Sequence, residues 1–315
     1  MKGRILITPR SLSNGGNSGL QPLVEAGYEL CFPAPGKMPC EAELLATVPA
    51  CIGWLAGVEP VSEAVVTAAD QLRVISRNGT GVDNLPLEAL SVRGVAVRRA
   101  EGTNSRGVAE LALAMSFAGL RHLIPTHLGI AAGGWPRRIG REIYNSKVAV
   151  IGLGAVGSQF ARFNLALDAR VFGYDPAAPD QGVAQPNFHR VSFEEALHGA
   201  NVVSLHAPIP SDGRALLAKP DLALLARSAV VVNTARAGLV DSPAMLAALN
   251  DGQVGAYATD VFETEPPRMS DLLAHPDVLL TSHIGGYTAE SVERTTEVAV
   301  TNILEVLEGH AHRAG

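Results

Sequence analysis

The stretch Val148-Ala-Val-Ile-Gly-Leu-Gly-Ala-Val-Gly157 runs from four apolar residues into three glycines spaced G-x-G-x-x-G. The apolar run has strand character, and the pattern over residues 158–167 predicts a helix after it. Each glycine has its own task. Gly152 permits the tight turn, Gly154 lets the backbone approach a pyrophosphate, and Gly157 lets helix and strand pack closely. The helix N-terminus then turns free N–H groups and a positive dipole end toward an anion. A second strand at 170–174 leads to Asp175, at the roughly 20-residue separation expected for an acid that accepts from ribose hydroxyls. A carboxylate there repels a 2′-phosphate, and the following Pro176-Ala-Ala offers no cation. The expected cofactor is therefore NAD, held by Gly152, Gly154, Ala155, Val156, Gly157 and Asp175.

Outward from this motif, short β-branched runs alternate with helical patterns in both directions. Strands are expected at 4–8, 28–32, 51–55, 73–77 and 95–98, with a helix at 61–69 among them. After a long helix at 105–121 and a Gly/Pro/Arg-rich arm at 132–138, further strands are expected at 148–151, 170–174, 202–205, 229–233, 254–259 and 278–281. A final helix is expected at 289–308. Such alternation reads as α/β architecture with two doubly wound parallel-sheet domains. A length of 315 residues agrees with two domains.

Composition excludes several classes. Hydrophobic residues make up 47% and charged residues 18%, which rules out disorder and coiled coil. The net charge of −6, with no basic stripe, speaks against nucleic acid as a partner. Three cysteines, Cys31, Cys40 and Cys51, are too few for a disulfide framework, and no Cys/His group has zinc spacing, so no metal is expected. No uncharged apolar stretch reaches bilayer length, so no membrane partner is expected. The apolar run Ile5-Leu6-Ile7 is too short for a signal peptide, which leaves the cytoplasm as the expected compartment.

In open α/β sheets, ligands sit beyond the carboxyl ends of the strands. The residues just after the predicted strands are His206-Ala207-Pro208, Thr234-Ala235-Arg236, Asp260 with Glu263 and Glu265 behind it, and Ser282-His283-Ile-Gly285. Among nine histidines only His206 and His283 immediately follow strands. His122, His127, His189, His198, His275, His310 and His312 are placed in helices or loops. An Arg, a carboxylate and a His on one edge suit chemistry on a 2-oxo or 2-hydroxy acid. Arg236 can hold a carboxylate by a bidentate fork. His283 can give or take the proton on the reacting oxygen, and Glu265 can bond its other ring nitrogen. A structural ion pair for Arg236, a turn role for Glu265 and a buried, satisfied His283 are the plainer readings of each residue alone. His206 reads as a loop residue near the cofactor.

These residues resemble the D-isomer-specific 2-hydroxyacid dehydrogenases, and most closely their phosphoglycerate dehydrogenase branch. The resemblance rests on Arg77-Asn-Gly-Thr-Gly-Val-Asp-Asn84, Gly102-Thr-Asn104-Ser105, Ala109-Glu-Leu111, Val150-Ile-Gly-Leu-Gly154, Asn233-Thr-Ala-Arg236-Ala-Gly238, Asp260-Val-Phe-Glu-Thr-Glu265-Pro266 and His283-Ile-Gly-Gly286. It implies a catalytic set of Arg236, Glu265 and His283. It also implies cofactor contacts from His206, Ala207, Pro208, Thr234, Ala235, Asp260 and Gly285. Substrate contacts are implied for Trp54, Arg77, Asn78, Gly79 and Asn104, beside Arg236 and His283. It implies a flavodoxin-like substrate domain of residues 1–101 and 287–315, and a Rossmann cofactor domain of residues 102–286. It further implies a homodimer through the cofactor domain, with the 135–138 arm reaching toward the partner.

Two departures matter. Trp54, or its neighbour Leu55, stands where the branch carries an arginine for phosphate, leaving Arg77 and Arg137 or Arg138 for that work. The chain also ends soon after the last helix, so a C-terminal regulatory domain is not expected. The leading expectation is an NAD-dependent dehydrogenase of 3-phosphoglycerate/3-phosphohydroxypyruvate. Alternatives are a hydroxypyruvate or glyoxylate reductase, another D-2-hydroxyacid dehydrogenase, and an NAD(H)-sensing binding protein on the same scaffold.

Overall fold

The computed structural model describes residues 2–14, 16–177 and 185–309. His310 and His312 lie outside them. The chain divides into two units. The first comprises residues up to Asn104 together with those from Thr288 on, and the second is Ser105–Tyr287.

The first unit contains β1 (Gly3–Ile7), α1 (Gln21–Glu25), β2 (Tyr28–Cys31), α2 (Glu41–Thr47), β3 (Cys51–Ala56), α3 (Glu63–Ala68), β4 (Val74–Arg77), α4 (Leu87–Val92) and β5 (Ala96–Arg99). All its pairings are parallel, in the order β2-β1-β3-β4-β5, the flavodoxin-like order. Alternation along the strands sorts side chains to two faces. Leu6, Trp54 and Ile75 are register partners on one face and pack with Leu44 of α2, Val65 of α3 and Leu90 of α4. Ile5, Leu55 and Val74 face the other way. The last helix of the chain, Ala289–Glu308, belongs to this unit and covers that second face with Ala299, Val300 and Ile303. Full burial of each large apolar side chain contributes about 1.5–3 kcal/mol. Thr288 caps this helix by accepting from the Ser291 N–H at 3.1 Å.

The second unit contains α5 (Ser105–Leu120), α6 (Leu123–Ala131), β6 (Lys147–Ile151), α7 (Ala155–Ala166), β7 (Arg170–Tyr174), β8 (Phe188–Arg190), α8 (Phe193–Leu197), β9 (Val202–Leu205), α9 (Lys219–Ala223), β10 (Ala229–Asn233), α10 (Ser242–Asn250), β11 (Val254–Thr259) and β12 (Val278–Leu280); the helix of residues 289–308 is α11. Its sheet, β12-β11-β10-β9-β6-β7-β8, is parallel throughout and is a Rossmann sheet. Ala109, Ala112 and Met115 of α5 join Val230, Val232 and Ala258 in one core, and α8–α10 cover the opposite face. A Cβ on Gly119 would stand 2.6 Å from Val230, so this glycine allows α5 its close approach to β10.

Three features differ from the sequence expectation. Helix α7 begins at Ala155 rather than 158, because Gly154 serves as its N-cap and the motif itself forms the first turn. His189 lies in the edge strand β8, not in a loop or helix. Helix α6 is additional to the expected elements. It starts after His122, which takes a left-handed conformation (φ 51°), and its apolar Leu123, Ile124, Leu128 and Ile130 stay exposed, so no buried stripe announces it.

Candidate active site

In the second unit the carboxyl ends of β6, β9, β10 and β11 and the segment after β12 gather most of the predicted residues. The glycine turn is built to close tolerances. Gly152 has φ 95°, and a Cβ there would meet the His206 carbonyl at 2.6 Å. A Cβ on Gly157 would overlap the carbonyl oxygen of Gly152. Gly154, by contrast, is exposed and has open space around it. The N-cap of α7, Gly154, offers no side chain to cap the helix, which leaves the first N–H groups suited to an external anion. Asp175 Oδ2 accepts from Leu153 N and Oδ1 from Ala177 N, both at 2.8 Å, pinning the turn to the end of β7. Ala155 and Pro208 are exposed, and Val156 and Ala207 are partly so. The buried Thr234 hydroxyl oxygen has no hydrogen-bond partner among the described residues. An open glycine, an uncapped helix start and an orphaned hydroxyl fit a dinucleotide.

His206 packs behind the turn. Its ring lies 5.2 Å from that of Phe160, and its Nε2 is 2.9 Å from Ser204 Oγ. Burial pushes its pKa down to about 3, so it stays neutral.

Buried polar residues that the sequence reading passed over or placed differently hold the segments of His283 and Arg236. His283 is exposed and has φ 55°, a left-handed conformation that histidine adopts more readily than most residues. Its Nδ1 lies 2.8 and 2.9 Å from the two oxygens of Glu265, leaving Nε2 to point elsewhere. The plainer reading of a buried His283 is thereby corrected. Asp260, expected to contact the cofactor, is 1% exposed. Its Oδ1 accepts from Thr281 Oγ1 (2.6 Å) and Ile284 N (2.8 Å), and its Oδ2 from Gly285 N (2.7 Å). Both oxygens are spent on the segment that carries His283, so Asp260 supports that segment from beneath. Gly285 is needed there, since a Cβ would come 3.0 Å from Asp260 Oδ2. Asn233 does the same for Arg236: its amide donates to Arg236 O at 2.8 Å and its oxygen accepts from Ala235 N at 3.1 Å. The signal for Asn233 and Thr281 was a small polar residue ending an apolar strand. Arg236 is half-buried and donates from Nη1 to Ala235 O at 2.7 Å.

The first unit carries the remaining predicted residues. Trp54 is fully buried in the core, and its Nε1 donates to Thr8 Oγ1 at 2.9 Å. This corrects the expectation of a substrate contact: the strand alternation that pairs Trp54 with Leu6 and Ile75 turns its ring inward. Arg77 is 9% exposed, and its Nη1 donates to Asn78 O at 2.7 Å, so the guanidinium lies folded under the Asn78-Gly79 turn. Asn78 and Asn104 are partly exposed. In the arm of the second unit, Arg138 is ion-paired with Asp277 rather than left for an external phosphate.

Comparison with known proteins agrees with this geometry. The family description "D-isomer specific 2-hydroxyacid dehydrogenase, NAD binding domain" matches residues 113–285. D-3-phosphoglycerate dehydrogenase of Methanocaldococcus jannaschii is 34% identical over 79% of this chain and 48% of its own length. That of Bacillus subtilis is 30% identical over 93% of this chain and 55% of its own. The chain thus spans about half the length of the curated relatives it matches. Among solved structures, the TT0316 protein of Thermus thermophilus is 32% identical with a TM-score of 0.86, covering 97% of each chain. A glycine cradle that takes NAD and a His–Glu pair on the neighbouring strand ends are joined here in one unit, and the family match runs across both: the chain belongs to the D-isomer-specific 2-hydroxyacid dehydrogenases.

Proposed function

We propose that this protein is an NAD-dependent dehydrogenase or reductase that interconverts a small D-2-hydroxy acid and its 2-oxo acid. The observation that carries the reading is His283 Nδ1 held 2.8 Å from Glu265, on a segment fixed by Asp260, in the unit that holds the glycine cradle. NAD bound there supplies the redox chemistry by accepting or returning a hydride. His283 Nε2 removes the hydroxyl proton on oxidation and returns a proton to the carbonyl oxygen on reduction. Glu265 keeps the ring in the tautomer and orientation that leave Nε2 available. Arg236 binds the substrate carboxylate through its planar fork.

The curated relatives favour 3-phosphoglycerate and 3-phosphohydroxypyruvate as the substrate pair. Trp54 and its neighbour Leu55, one of which is read as standing where that branch carries an arginine for phosphate, are both buried and uncharged, which favours hydroxypyruvate or glyoxylate as the second reading. We read the working form as a cytoplasmic homodimer joined through the second unit, because Trp135 and Ile139 of its arm are 81% and 98% exposed.

The test follows NADH absorbance with phosphohydroxypyruvate, hydroxypyruvate, glyoxylate and pyruvate. Preference for the phosphorylated acid supports the first substrate reading, and preference for an uncharged tail supports the second. Tight NADH binding with no turnover of any acid sinks the enzyme reading in favour of an NAD(H) sensor. His283→Ala should lower kcat by about 10²–10⁴-fold, whereas Arg236→Ala should mainly raise KM for the acid.

A further inference from the structure

The carboxyl edge of the second unit's sheet holds a cation that the reaction above does not use. It comes from β8, the short edge strand. β8 runs parallel to β7, with Val171 opposite Phe188, Phe172 opposite His189 and Gly173 opposite Arg190. Two contacts fix it there. A Cβ on Gly173 would stand 3.0 Å from the Phe188 ring, and the His189 ring lies 4.8 Å from that of Phe172. Carbonyls alternate in direction along β7. Gly173 O accepts from Val191 N at 3.1 Å, on the β8 side, and Tyr174 O accepts from Gly152 N at 2.8 Å, on the β6 side. Asp175 O turns back toward β8, where it accepts from Arg190 Nη2 at 2.7 Å.

Asp175 is therefore gripped from two sides. Its side chain leans to the glycine turn, where Oδ2 accepts from Leu153 N at 2.8 Å. Its carbonyl holds the guanidinium of Arg190, an exposed residue, on the β8 side. An exposed charge on a short edge strand has a plain use: it discourages pairing with another chain. That use requires no particular partner. Arg190 is bonded to the main chain of the one residue whose carboxylate decides between a ribose hydroxyl and a phosphate. A phosphate monoester carries roughly −1.5 to −2 charges near neutral pH, which a carboxylate repels. A guanidinium at the same residue opposes that repulsion with its charge and with a planar fork of donors that matches phosphate. Pro176 and Ala177, next in the chain, offer neither.

We propose that Arg190 is a specificity-determining residue of the cofactor site: fixed on the Asp175 carbonyl, it supplies the cation for a 2′-phosphate, while the Asp175 carboxylate holds the preference for NAD(H). The preference is then a balance between two neighbouring charges, and the wild-type protein takes NADP(H) as a weaker second cofactor. This rests on the reading of the glycine cradle as the NAD site of a dehydrogenase. Arg190 has no part in the proton or hydride transfer.

The experiment compares wild type, Arg190→Leu, Arg190→Lys, Asp175→Asn and the double variant Asp175→Asn with Arg190→Leu. It reads Kd for NADH and NADPH by fluorescence titration, and for adenosine 2′,5′-bisphosphate by calorimetry, so no turnover is needed. Wild type should bind NADPH, more weakly than NADH. Arg190→Leu should raise the NADPH Kd about 10- to 100-fold, the range for losing a hydrogen bond to a charged group, with NADH affinity near wild type. Arg190→Lys, which keeps the charge and loses the fork, should fall between. Asp175→Asn should weaken NADH and tighten both NADPH and the bisphosphate, and adding Arg190→Leu should cancel that gain. If Asp175→Asn does not fold, the Arg190 single variants decide. Wild type with no measurable NADPH binding overturns the proposal while leaving the proposed function standing. So do equal losses of NADH and NADPH in Arg190→Leu, an unchanged NADPH Kd there, or a gain in Asp175→Asn that survives Arg190→Leu. Wild-type protein that binds neither dinucleotide overturns both.

Discussion

The carboxylate of Asp260 lies 2.7 Å from the main-chain nitrogen of Gly285, two residues past His283. With Thr281 and Ile284 on its other oxygen, this one buried side chain holds both flanks of a histidine whose own backbone is left-handed. An asparagine has the same outline but presents an NH₂ to a donor N–H. Asp260→Asn should therefore lower kcat by about 10²-fold, near the lower bound for loss of a placed acid/base, with a small effect on KM for the acid. Steady-state kinetics check this, and a wild-type kcat would refute it.

The glycines of the turn should separate stability from cofactor affinity. An added methyl on Gly157 overlaps the Gly152 carbonyl, so Gly157→Ala should lower the thermal midpoint and weaken NADH binding together. Gly154 has open space around it, so Gly154→Ala should melt within a few degrees of wild type and still lose NADH affinity, because the methyl stands where the pyrophosphate approaches. Calorimetry without ligand and NADH fluorescence titration distinguish the two.

His206 predicts an acid limb in the stability profile. Its folded pKa, about 3, lies below the ordinary histidine value of 6.5. Between those values the unfolded chain binds more protons, so stability falls as pH drops through that window and is fully present above it. His206→Gln, which keeps a polar side chain without a titrating ring, should flatten the limb. A thermal midpoint in the mutant with the same slope over that window would assign the acid sensitivity elsewhere.

The arm supplies a test of assembly. Trp135→Ser combined with Ile139→Ser removes two large apolar side chains that this chain leaves bare. Light scattering should show the double variant shifted from dimer toward monomer, with NADH affinity retained. An unchanged mass, or a monomeric wild type, would remove the arm from the interface.

Much of this was legible in the residues because the strands are short, β-branched and bounded by glycine or proline. β7, β9, β10 and β11 follow the reading residue for residue. What the sequence concealed was side-chain direction. Trp54 lies inside β3 and Asp260 just past β11, yet strand parity turns Trp54 into the core and hydrogen bonds bind Asp260 to the segment that carries His283. Arg77 has the chemistry of an acid binder, but its guanidinium is folded under the turn that follows it. The edge strand β8 is three residues long, and α6 buries none of its apolar residues, so neither leaves a periodic signal.

The placement of α11 sets an order of assembly on the ribosome. Residues 105–287 are contiguous and can close their core as soon as they emerge. The five strands made before them cannot, because Ile5, Leu55 and Val74 await Ala299, Val300 and Ile303 from the far end of the chain. The earliest-made sheet is thus the last to be covered. Its bare apolar face is the surface a chaperone meets during synthesis, and a nascent chain stalled before residue 288 is the form most prone to aggregate.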